Sequence, residues 1–176
     1  MRRYIALLRG INVGRAKPIS MAQLASVVSA LGFTDVVTVL RSGNVVFGSD
    51  ESLPSDTPSR FEAAVFAATG VQSSVLLFDS GGFFSILDAN PLVDIATNGS
   101  KSFVTFVTSM PTSVKLPDAA SLAPEMLAIG PAAVYQWMPD GSLQTRVPRS
   151  FWKQFDAPVT TRNWSTVLKL RALLSD

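Results

Sequence analysis

Apolar and polar positions alternate along the first half of the chain with periods that assign its elements. Tyr4 to Leu8 is a short, unbroken apolar run, which predicts a buried central strand. Ser20 then reads as an N-cap, with Gln23 three residues on completing a capping box. Leu24, Val27, Val28 and Leu31 fall at i, i+3, i+4 and i+7, one apolar helical face, and Gly32 closes that helix. Val36 to Arg41 and Val45 to Phe47 are β-branched runs joined by Ser42-Gly43-Asn44, a hairpin signal. The polar stretch Ser49 to Ser59 reads as a loop. Asp56 or Thr57 caps the next helix, with Pro58 at its first position. Phe61, Ala64, Val65 and Ala68 supply that helix's face, Gly70 ends it, and Ser74 to Phe78 is a fourth strand.

The resulting order, β-α-β-β-α-β, is that of a ferredoxin-like unit. The pattern after residue 78 is less regular. Gly82 to Asp88 reads as a helix stopped by Asn90-Pro91. Phe103 to Val107, Met126 to Ile129 and Val134 to Trp137 read as strands. Met110 to Pro124 is mostly loop, with a helical turn after Asp118. Pro139-Asp140-Gly141 is a turn, and helices are expected near Phe151 to Phe155 and from Trp164 to Leu174, the last with Val167, Leu170 and Leu174 on one side. The expected class is α+β with mostly antiparallel sheets: tandem ferredoxin-like (α/β-plait) units, residues 1–78 and a decorated 79–176.

Composition narrows the chemistry. The 176 residues include no cysteine and no histidine. That excludes disulfides, thiolate nucleophiles, imidazole bases and most zinc sites, leaving oxygen ligands for any metal. No metal or cofactor is expected. The apolar run after Met1-Arg2-Arg3 stops at Arg9, too short for a signal peptide, and no stretch approaches a membrane span. A cytoplasmic protein is the expectation. Charged residues are 16%, against about 25% in an average chain. So little charge implies a large core, or an apolar face covered by a partner or a second copy. The net charge is only +2, although the pI is about 9.2. With no group titrating near neutrality the charge curve is flat, and support for nucleic-acid binding is weak.

Two stretches are distinctive: Leu8-Arg9-Gly10-Ile11-Asn12-Val13-Gly14 and Thr161-Arg162-Asn163-Trp164-Ser165-Thr166-Val167-Leu168-Lys169-Leu170. With Ser42-Gly43-Asn44 and Asn90-Pro91 between them, the chain resembles the bacterial family known as domain of unknown function 1697, over Tyr4 to Leu174. The resemblance implies tandem α/β-plait units and brings no established activity. The chain also departs from that family's pattern. Arg15, Ala16 and Lys17 follow Gly14 where a further glycine and a Lys-Asn pair are common. Ser142-Leu143-Gln144-Thr145-Arg146 stands where a basic segment usually follows Gly141.

Topology places a candidate site. In a βαββαβ unit with strand order 4-1-3-2, strand one runs antiparallel to strand three. Arg9, Gly10 and Asn12 then lie beside Ser42, Gly43 and Asn44, with Gly14 in the loop that follows and the helix start at Ser20 nearby. A guanidinium, carboxamides, glycine backbone and a helix N-terminus favour an anion or phosphate-bearing ligand. Arg162-Asn163-Trp164 reads first as structural, an N-cap and a packing anchor, and alternatively as placing Arg162 and the Asn163 amide at the same edge from outside. Structural readings stand beside this one. The glycines can serve tight turns, the asparagines can bond their own backbone, and Asn163 can cap the last helix. Gly10 to Gly14 is neither a dinucleotide fingerprint nor a P-loop. The thirteen acids show no paired helical spacing, and no catalytic constellation is visible, so a binding role is favoured over an enzyme. The rival class is an RNA-binding plait: Lys101-Ser102-Phe103-Val104-Thr105-Phe106 is similar to an RNP1 segment but lacks its glycine. The remaining reading is an oligomeric or regulatory subunit.

Overall fold

The computed structural model describes residues 1–12 and 18–175. The chain divides into two units, Met1–Phe84 with Leu170–Asp176, and Ser85–Lys169. The boundary expected after residue 78 falls at the end of β4, six residues before the first unit's division at Phe84.

The first unit contains β1 (Arg2–Arg9), α1 (Met21–Ala30), β2 (Thr34–Val39), β3 (Asn44–Ser49), α2 (Thr57–Thr69) and β4 (Ser74–Asp79). Its antiparallel sheet has the order β2-β3-β1-β4. Tyr4 to Leu8 are all buried, so β1 is central and its apolar run is unbroken because both faces are covered. On the helix-bearing face, Tyr4, Ala6, Leu8, Val45, Phe47 and Val75 pack with Leu24, Val28, Phe61 and Val65. The Phe47 ring lies 4.5 Å from Phe33 and 5.5 Å from Phe61, centroid to centroid. Burying each such side chain is worth about 1.5–3 kcal/mol. The opposite face buries Ile5, Leu7, Val46 and Leu76.

Two local expectations are corrected. Ser20 caps α1 as read, its hydroxyl accepting from the Gln23 amide at 3.1 Å. The reciprocal half of the capping box is absent, because the Gln23 side chain donates to the Ala68 carbonyl at 3.3 Å and ties α1 to α2. Asn44 is not a turn residue but the first residue of β3, paired with Val39 and Leu7. The turn is residues 40–43, with left-handed backbone at Leu40 (φ 58°) and Gly43 (φ 79°).

Along the chain, β4 runs directly into α3 (Ser80–Asp88), which the unit boundary crosses. There follow β5 (Ser102–Val107), α4 (Ala119–Leu122), β6 (Met126–Ile129), β7 (Ala133–Trp137), α5 (Arg149–Trp152), β8 (Val159–Asn163) and α6 (Trp164–Ser175). The second antiparallel sheet has the order β6-β7-β5-β8. In each sheet the first strand in sequence therefore lies between the third and the fourth, with the second at an edge. Val107, Val134, Val147, Phe151 and Phe155 form a core on one face. Strand β8 is not among the elements expected from the hydrophobic pattern. It carries one apolar residue, and its buried positions are Thr160 and Arg162. Burial of polar residues leaves no hydrophobic alternation to read.

Tyr135 on β7 is almost fully buried and donates from its hydroxyl to the Ile86 carbonyl at 2.6 Å. Burial pushes its pKa from 10.0 up to about 12. Its contribution to stability is fully present below pH 10 and is lost as pH rises through 12. Arg162 works in the opposite direction, since burial lowers its pKa from the ordinary arginine range to about 10. The Tyr135→Phe variant isolates the phenol. Between about pH 9 and about pH 11 its urea midpoint should fall less than that of the wild type. Parallel declines would contradict a buried, titrating Tyr135.

Candidate functional site

The end of the first sheet where β1 stops and β4 starts carries a polar pocket of about 580 Å³. It is lined by Arg9 and Gly10, by Gln72, Ser73 and Ser74 at the entry to β4, and by Ser59, Glu62, Ala63 and Phe66 along α2. Antiparallel pairing builds this end: Arg9 is opposite Ser74, and the segment before β4 therefore meets the segment after β1. Gly10 has φ 85°, and a Cβ there would meet the Gln72 carbonyl oxygen at 3.6 Å, so its role is backbone conformation more than clearance.

The polar groups of this pocket differ in how they are satisfied. Glu62 Oε1 accepts from the Val75 amide at 2.8 Å, which fixes the carboxylate at the end of β4. The Ser73 hydroxyl is buried without a hydrogen-bond partner. Arg9 is exposed, and among the described residues its guanidinium makes no hydrogen bond or ion pair. Phe66 is half exposed on the helix side.

Of the other residues singled out from sequence, Asn12, Ser42, Gly43 and Asn44 lie at the same end of the sheet with different duties. The Asn12 carboxamide is a clamp. Its Oδ1 accepts from the Ile19 amide at 2.7 Å, and its Nδ2 donates to the carbonyls of Ile19 (3.0 Å) and Arg41 (2.8 Å). It joins the loop after β1, the entry to α1 and the β2–β3 turn. Asn44 is fully buried, and its Nδ2 donates to the Val39 carbonyl at 2.7 Å and to Ser42 Oγ at 3.0 Å. Both of its amide hydrogens are therefore occupied. Gly43 is buried, and its carbonyl accepts from the Leu8 amide at 2.7 Å. Ser42 is exposed. Gly14 lies outside the described residues.

Arg162 and Asn163 belong to the second unit. Arg162 is buried in β8 opposite Val104, and its Nη1 donates to Thr160 Oγ1 (2.8 Å) and the Thr161 carbonyl (2.9 Å). Asn163 ends β8 and caps α6, its Oδ1 accepting from the Thr166 amide at 2.8 Å. Among the described residues no group of three or more Asp or Glu is placed to hold a metal ion, and no helix is long and apolar enough to cross a membrane.

Sequence reasoning missed Glu62, Phe66, Gln72 and Ser73. A signal for them was present. With β4 antiparallel to β1, the polar run Gln72-Ser73-Ser74 had to meet the end of β1, and Glu62 and Phe66 are one helical turn apart on α2.

These features define an α+β protein with two antiparallel four-stranded sheets and a polar pocket at the end of the first. The chain belongs to the family described as "Protein of unknown function (DUF1697)", whose model matches residues 1–135. The match takes in Leu8–Gly14, Ser42–Asn44 and Asn90-Pro91 and ends before Thr161–Leu170, a shorter span than the resemblance suggested. The chain is also similar to a solved structure, that of the conserved bacterial protein SP0830 from Streptococcus pneumoniae. The two share 22% identity over 98% of each chain, with a TM-score of 0.69. At that identity the likeness is one of fold. No curated protein matches the chain.

Proposed function

We propose that this protein binds a small anionic or phosphate-bearing ligand at the end of its first sheet, in the pocket lined by Arg9 and Gly10. The observation that carries the reading is Arg9, an exposed guanidinium lining the same pocket as Ser73, whose hydroxyl is buried, neither side chain with a partner among the described residues. An arginine fork pairs with carboxylate or phosphate oxygens, and a serine hydroxyl can donate to the same anion. Asn12, Gly43 and Asn44 act behind this site, holding the loops that flank it. We read both units as ferredoxin-like plaits. The order βαββαβ in the first and the shared strand order of the two sheets support that reading.

A small ligand is favoured over RNA by the burial of the sheets. An RRM-type platform needs exposed strand aromatics. Phe106 and Tyr135 are buried, as are Ile5, Leu7, Val46 and Leu76 on the face of the first sheet opposite α1 and α2.

The test is a thermal-shift screen of wild type and Arg9→Ala against phosphate, sulfate, sugar phosphates, nucleotides and short RNA. A ligand at about a hundred times its Kd adds about 2.7 kcal/mol, or about 5–10 °C for a chain of this length. The expected result is such a shift for a small phosphate ester in the wild type and its loss in Arg9→Ala. A shift that survives Arg9→Ala would remove the site from this pocket.

A further inference from the structure

The reading of an anion site leaves one group of the pocket unexplained. Glu62 places a carboxylate in the same 580 Å³ space as Arg9. It cannot simply swing away without leaving the Val75 amide that Oε1 holds at 2.8 Å. Its second oxygen, Oε2, has no hydrogen-bond partner among the described residues, and Glu62 and Arg9 do not pair with each other. The pocket therefore presents a guanidinium with no partner among the described residues and a carboxylate tethered through one oxygen, its other oxygen unspent. A bare phosphate or sulfate drawn to Arg9 would bring its charge towards Glu62 and be repelled. A ligand with an ammonium or hydroxyl next to its anionic group would turn that repulsion into a charge-assisted hydrogen bond.

We infer that the pocket selects an amino- or hydroxyl-bearing phosphate ester over a bare anion, and that Glu62 is the residue that selects it. The inference rests on the anion reading above and adds the second half of the ligand. Arg9 and the Ser73 hydroxyl take the phosphate, Glu62 Oε2 takes the donor, and the half-exposed Phe66 ring flanks the carbon chain between them.

The experiment is calorimetric titration of the full chain with two matched probes, ethyl phosphate and 2-aminoethyl phosphate, which differ by one ammonium. The wild type should bind the amino ester about tenfold more tightly, the effect of one charge-assisted hydrogen bond. Glu62→Gln retains an acceptor for the Val75 amide and so keeps the fold. It should bring the two probes to equal affinity by weakening the amino ester and improving ethyl phosphate. Arg9→Ala should weaken both. Equal binding of the two probes by wild type, still lost in Arg9→Ala, would overturn the role of Glu62 while leaving the anion site standing. A preference that persists in Glu62→Gln would overturn it equally. Failure of wild type to bind either probe would overturn the anion site and this inference with it.

Discussion

Replacing Gly43 by alanine should destabilise the protein by about 3 kcal/mol, the sum of left-handed backbone strain and overpacking. The residue sits at φ 79°, and a Cβ there would lie 2.8 Å from Ile11 Cδ1 and 2.8 Å from Leu8 Cβ. Ile11 meets the new Cβ with the end of its side chain, but Leu8 meets it with Cβ, which cannot move without the backbone of the central strand. The Leu8 amide also bonds to the Gly43 carbonyl, so movement of the turn strains the end of the central β1–β3 ladder. Gly10→Ala provides the contrast. Its backbone is equally left-handed at φ 85°, but the nearest atom to a new Cβ is the Gln72 carbonyl oxygen at 3.6 Å. Only the backbone penalty of about 1 kcal/mol applies there. Urea denaturation of both variants separates the two mechanisms. A Gly43→Ala protein within about 0.5 kcal/mol of wild type, the range of an ordinary surface substitution, would show that the turn is not sterically fixed.

The first unit was legible because its periodicities are strong. Tyr4 to Leu8, the α1 face and the Gly70 stop each have a single physical reading, and together they order the strands. From that order came the location of the candidate site at the end of β1. Which residues complete it was not legible. Topology alone groups Asn12, Ser42, Gly43 and Asn44 with Arg9 because they share an end of the sheet. Side-chain hydrogen bonding sorts them, and sequence spacing carries no information about it. The asparagines spend their donors on backbone carbonyls, whereas Arg9 lines a pocket with residues from α2 and the start of β4. The second unit was harder for a different reason. Its helices between strands are four residues each, too short to show a 3.6-residue period, and β8 is a polar edge strand.

The separation of duties within the Leu8–Gly14 motif leads to opposite signatures for two neighbouring substitutions. Asn12→Ala removes one acceptor and two donors at once. The Ile19 amide and the carbonyls of Ile19 and Arg41 lose their partner in a half-buried position. At about 1 kcal/mol for each bond, the expected loss is about 2–3 kcal/mol. Asn12→Asp should be at least as damaging despite its similar shape, because it sets a carboxylate oxygen against two carbonyls that require a donor. Arg9→Ala, with no side-chain partner to orphan among the described residues, should leave the urea midpoint almost unchanged and abolish the anion-dependent stabilisation. If Asn12→Ala instead left stability intact and removed ligand binding, the carboxamide would be a contact residue and the clamp would be incidental. If it lowers stability and the folded fraction still binds with wild-type affinity, the motif contains a ligand residue at Arg9 and a structural residue three positions later. The glycines and asparagines that make this stretch distinctive would then serve mainly to hold the strand end at which Arg9 is presented.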